Sequence, residues 1–410
     1  MRTLSHYYNK IFPKMSVAKE VPSAPAVTPR VYAAHGVLVL SLLSAGHFFA
    51  DLYSGALGAL QPLLVQHFHL TLAGAGVLGG VMLWTSSVMQ PLYGYLSDRF
   101  RTRLFAALGP AVAGILISCL GLAPSYAWLL VMVALGGAGV AAFHPQASAQ
   151  ATLGIARHRG RAMAAFISAG TLGYAIGPTY FSIIAERVGL PGTWWAAIPG
   201  VLTTILLLMM LPLPPAPVSG RPGFDWAALR AVRKPLTILY MLVFIRSIVQ
   251  TTYAQFIPLY LWRERGFAIG LASYALTGYL TFGAIGGFIG GHLADRFGGK
   301  RIIQISMIAS IAPLLLFFLT SGWLAMAGLW VGGLILLFTI PVNVVMAQEL
   351  VPSQAGTISA LMMGFAWGMA GLIFIPLTGW LSDLYSMHHV LMALALFPAA
   401  GFLLSLRLPE

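Results

Sequence analysis

Long apolar runs separated by short polar stretches set the pattern of the chain, falling near 33–65, 71–96, 103–122, 127–150, 162–185, 193–213, 236–262, 268–293, 302–320, 323–347, 356–381 and 388–406. A helix that crosses a bilayer takes about 20 predominantly apolar residues. The runs therefore predict an all-α integral membrane protein with twelve transmembrane helices. The longest internal polar stretch, 212–235, follows the sixth run; it begins rich in proline, and residues 225–232 have the pattern of a short amphipathic surface helix. It divides the chain into an N-terminal six-helix bundle (31–211) and a C-terminal one (236–410), with 212–235 as linker and 1–30 as a disordered tail.

Composition agrees with the pattern. With 59% hydrophobic and 8% charged residues, the chain cannot cover a water-facing surface of this size, whereas a lipid-facing surface needs few charges. The formal charge of +13 would suit nucleic acid in a soluble protein. Here it is explained by loop placement. Nineteen of the 23 Lys and Arg fall on the side of the tail, three (Arg187, Arg263, Arg265) on the other, and Arg246 lies within a run. That bias puts both termini in the cytoplasm of a multi-pass protein of the inner (plasma) membrane. The expected partners are lipid, protons and a small-molecule substrate, with no nucleic acid, and the chain is expected to act as a monomer. The single cysteine, Cys119, excludes an internal disulfide and a Cys-based metal site.

An internal repeat supports the division. Gly94-Tyr-Leu-Ser-Asp98-Arg99-Phe100 returns 197 residues later as Gly291-His-Leu-Ala-Asp295-Arg296-Phe297, after the second run of each half. One signature at one place in both halves implies parallel, pseudo-symmetric bundles. The two motifs resemble the loop signature of the major facilitator superfamily. The stretches 41–64, Phe143-His144-Pro145-Gln146 and 347–372 resemble, more narrowly, the fosmidomycin-resistance proteins, which are drug:proton antiporters of that superfamily. The resemblance implies the major facilitator fold, alternating access and drug efflux conferring antibiotic resistance. Gly177-Pro178 in the fifth run also resembles part of the superfamily's antiporter motif.

Ionisable groups inside a span are costly and mark function by default. Asp51 follows His47 by one helical turn, so the two share a face and could hold and pass a proton; a satisfied structural pair is the alternative. Arg246 interrupts the seventh run, with Gln250 and Tyr253 on the same face. An arginine keeps its charge at any relevant pH, so near mid-membrane it needs a carboxylate, carbonyls, water or an anionic ligand. Asp51 and Arg246 occupy nearly equivalent places in the two halves, which predicts that they meet across a central cavity. His144, before Pro145, and Gln146 are candidates for substrate binding or helix bending; the family commonly has an acidic residue at 146. Gly94, Asp98, Arg99, Gly291, Asp295, Arg296 and Glu349 read as gate residues. Gly173, Gly177 and Pro178, with Gly170, read as helix-packing positions.

No phosphate-binding loop or nucleophile triad is present, so no cofactor and no metal are expected, and a proton gradient is the energy source left. The leading expectation is a proton-coupled exporter of a small amphipathic or anionic compound such as a fosmidomycin-like drug. An uptake symporter uses the same residues, and an integral-membrane enzyme is the remote third reading.

Overall fold

No water reaches the backbone inside a bilayer, so a spanning segment has to satisfy its own amides and carbonyls, and an α-helix does this within one segment. The computed structural model describes residues 30–100, 102–155, 158–214 and 226–408, and these residues form helices and no strand. The rods are α1 (Arg30–Phe68), α2 (Leu72–Ser97), α3 (Leu104–Ser118), α4 (Tyr126–Ala151), α5 (Arg159–Val188) and α6 (Pro191–Met210) in the first half. The second half has α7 (Arg233–Arg263), α8 (Ile269–Phe297), α9 (Gly299–Leu319), α10 (Gly322–Leu350), α11 (Thr357–Leu384) and α12 (Met387–Ser405). Ten of them are long and apolar enough to cross a membrane. Of the other two, α3 has only 15 residues, and α5 has 30 but carries Arg159, Arg161 and Glu186 and a stripe of Ser and Thr. A short helix, Trp226–Ala231, precedes α7 where the linker pattern predicted one. The predicted tail and most of the linker lie outside the described residues.

The chain packs as two bundles, α1–α6 and α7–α12, joined mainly along α2–α11, α5–α8 and α1–α7. Lipid offers no hydrophobic drive between helices, so close contact depends on small residues. On α5, Gly173 and Gly177 lie against the backbone carbonyls of Phe48 and Leu52, and any side chain there would push α1 away. The motif glycines have matching neighbours: a Cβ on Gly94 would lie 3.5 Å from Pro145 of α4, and one on Gly291 would lie 3.5 Å from Pro341 of α10. The repeat is thus one of packing as well as of sequence.

Twelve passes put the two described ends on one face. On the opposite, far face the bundles are drawn together: Gly76 meets the Ile375 carbonyl, Gly379 meets that of Leu72, and the Thr179 and Thr277 hydroxyls share a hydrogen bond of 2.8 Å. Near mid-depth, π-helical turns at Trp84–Val88 and Ala360–Phe365 touch across the α2–α11 seam. Wide turns of this kind occur often at functional sites. On the face of the termini, Gln90–Arg99 packs mainly on α4, while Tyr95, Arg99, Phe100, Asp295, Arg296 and Glu349 are exposed. Among the described residues Arg99 reaches Tyr95, at 3.3 Å, and the Asp98 side chain is outside those described.

Candidate functional site

The first bundle builds a cluster from three helices. His47 and Asp51 lie one turn apart on α1, as their spacing predicts, with Nε2 and Oδ2 3.3 Å apart. His144 of α4 reaches the other carboxylate oxygen with its Nε2 at 3.1 Å. Each imidazole is fixed from behind, because His47 Nδ1 bonds the Phe166 carbonyl of α5 and His144 Nδ1 bonds the Val140 carbonyl one turn back, both at 2.8 Å. Phe166 also stacks on the His47 ring at 4.3 Å. Gly170 makes the arrangement possible, since a Cβ there would collide with that ring.

Hydrogen counting shows what this geometry holds. A carbonyl only accepts, so each Nδ1 carries a hydrogen and donates it. Each Nε2 then faces a carboxylate oxygen, and two lone pairs cannot share one short line. A proton in each contact would satisfy both, so the geometry can accommodate two protons shared among His47, His144 and Asp51. The carboxylate side chain is 19% exposed. The same donor atoms, all within 4.8 Å of one another, could take a divalent cation in place of those protons, a possibility that spacing along the chain did not reveal.

The second bundle supplies a different environment. Arg246 of α7 is 5% exposed, donates from Nη1 to Gln250 and from Nη2 to Ser247 at 3.2 Å, and has no carboxylate within ion-pair distance among the described residues. Among the described residues its Nε has no hydrogen-bond partner. Neither has the fully buried hydroxyl of Tyr279 on α8, which interacts electrostatically with Arg246. Tyr279 also interacts with Tyr174 of α5, and Tyr174 with Asp51.

The expected contact between Asp51 and Arg246 is not formed. Asp51 is engaged by two imidazoles and Arg246 by Gln250 and Ser247. Two other candidates face elsewhere. Gln146 accepts from Ala106 N–H at 2.8 Å and donates to the Thr102 carbonyl at 2.6 Å, fastening the start of α3 to α4. The Tyr253 hydroxyl donates to the Leu391 carbonyl at 2.9 Å, and its ring lies in the core of the second bundle beside Phe318. Tyr174, Tyr279 and Phe166 were not singled out from sequence; a tyrosine near mid-span with no apolar reason for its hydroxyl was the signal available.

Two helical bundles that close on one face, with an imidazole–carboxylate cluster in one and a buried arginine in the other, define a membrane transporter. Family comparison agrees: the Major Facilitator Superfamily model matches residues 43–261 and 239–410, and the chain belongs to that superfamily. It is 32% identical to the transporter YfnC of Bacillus subtilis (strain 168), over 89% of this chain and 91% of that one. It is 28% identical to the fosmidomycin resistance protein of Escherichia coli (strain K12), over 95% and 97% of the two chains. Among solved structures, a bacterial homologue of the lysosomal transporter Spinster, inward-facing and unoccupied, superposes with a TM-score of 0.77 at 16% identity, covering 90% of this chain and 97% of that one. Transport, not chemical conversion, is what these relatives share.

Proposed function

We propose that the protein is a proton-driven exporter of a small organic anion, drug-like and partly apolar, working by alternating access in the inner membrane with both termini in the cytoplasm. The observation that carries this is Arg246: a buried guanidinium with no carboxylate partner, an idle Nε, and the idle Tyr279 hydroxyl within electrostatic reach. A buried unpaired cation costs several kcal/mol, on the order of 3–5 where a partner has been removed, and an anionic ligand offsets that cost. Arg246 would bind the anion with its planar fork, Gln250 would hold the fork in place, and Tyr279 would add a neutral donor. His47, Asp51 and His144 would carry the protons. Resemblance to a fosmidomycin resistance protein supports efflux.

The test is uptake of a radiolabelled phosphonate such as fosmidomycin into inverted proteoliposomes under an imposed pH gradient. Export by antiport predicts accumulation when the lumen is acidic, and loss of it in Asp51→Asn. Accumulation only with the gradient reversed would instead support an uptake symporter.

A further inference from the structure

The 197-residue repeat extends to the far face, where it reveals a paired device. α2 begins at Leu72 and α8 at Ile269, one repeat apart; α5 carries Glu186 near its end and α11 carries Asp383, also one repeat apart. Asp383 accepts from the backbone N–H groups of Leu72 at 2.9 Å and Ala73 at 2.7 Å, so a carboxylate of the second bundle caps the first turn of a helix in the first. Glu186 makes the mirrored approach. One of its carboxylate oxygens occupies the place a Gly270 side chain would take, against the first turn of α8, so a carboxylate of the first bundle lies on a helix start in the second. Gly270 is the repeat equivalent of Ala73.

We propose that Asp383 and Glu186 are a pair of pseudo-symmetric latches that hold the far face closed. The first-turn N–H groups of a helix have no partner of their own, and the partial positive charge there favours an anion. Each latch supplies that anion from the opposite bundle, so the contact exists only while the two bundles are together, and opening the far face breaks both. A third carboxylate separates this role from ordinary capping. Glu264, just after α7, accepts from Met387 N–H at 2.8 Å and His388 N–H at 2.9 Å at the start of α12, with both partners inside the second bundle. It makes the same chemical contact without bridging the seam. The latches are exposed, so each is a modest bias on the closed state and not a lock. Nothing in this reading depends on which solute or ion is carried.

The test measures the width of the far mouth. Spin labels on Leu122→Cys and Trp323→Cys, in a Cys119→Ser background in lipid nanodiscs, report the distance between exposed far-face positions of the two bundles. Asp383→Ala and Glu186→Ala should each raise the proportion of the wide population about fivefold, and the double variant more than either, while Glu264→Ala leaves the distribution unchanged. A double variant with the parent distribution would overturn the proposal, as would a Glu264→Ala protein that opens as readily. A response to Asp383→Ala with none to Glu186→Ala would overturn the pairing.

Discussion

His144 and Gln146 stand two residues apart on α4 and do unrelated work, because two residues turn a helix through about 200° and so to nearly opposite faces. His144 turns to Asp51 of α1, and Gln146 turns to the backbone at the start of α3. Asp51→Asn keeps the shape of the side chain but removes the carboxylate charge. It should cut gradient-driven transport at least tenfold while leaving gradient-independent exchange of labelled substrate measurable, and loss of both together would argue for misfolding or a binding role. His144→Gln, which removes one of the two proton positions, should lower the number of protons moved per cycle in a pH-electrode assay. At Arg246 the loss should be graded. Arg246→Lys keeps charge without the fork and should weaken anion binding about tenfold, and Arg246→Ala by about a hundredfold or more; Tyr279→Phe should cost several-fold, all read by calorimetry on purified protein. An Arg246→Ala protein with parent affinity would sink the anion reading.

At the scale of elements, helix positions were largely legible because apolar runs mark them directly: the run 71–96 becomes Leu72–Ser97, and 268–293 begins one residue before Ile269–Phe297. The His47–Asp51 pair was legible for a related reason, since one turn of one helix fixes it. The third member was not, because His144 meets Asp51 only through the packing of α1 on α4, and no spacing along the chain encodes that distance. The π turns in α2 and α11 were equally hidden, as no residue type marks them. The glycine stripe of α5 predicted close packing, but its use at Gly170 emerges only with His47 in place. Gly170→Ala puts a methyl group into that ring's position. We expect the ring to swing off the Phe166 carbonyl and the variant to lose gradient-driven transport several-fold, with unchanged helix content by circular dichroism and a melting temperature within a few degrees. A variant that transports normally would show that His47 need not hold this geometry.

For the whole molecule, the separation of the proton cluster from Arg246 decides what kind of coupling is open to it. Local electrostatics alone favours co-binding: two protons on His47, Asp51 and His144 leave the cluster with a net positive charge, and a second positive group near Arg246 attracts an anion. Antiport requires the reverse, with the anion bound best when the cluster has given up a proton. Exchange would therefore have to be enforced by conformation, through a state in which loss of a proton loosens one imidazole from Asp51 and shifts the packing of α1, α4 and α5. The slope of affinity against pH separates these cases. On the exporter reading, anion affinity rises with pH, by at most tenfold per pH unit for one proton exchanged, and becomes flat in Asp51→Asn. Calorimetry in two buffers of different ionisation enthalpy should show release of a proton on binding. An affinity that falls as pH rises, with proton uptake on binding, would mean that charge attraction dominates and that the protein works as an uptake symporter.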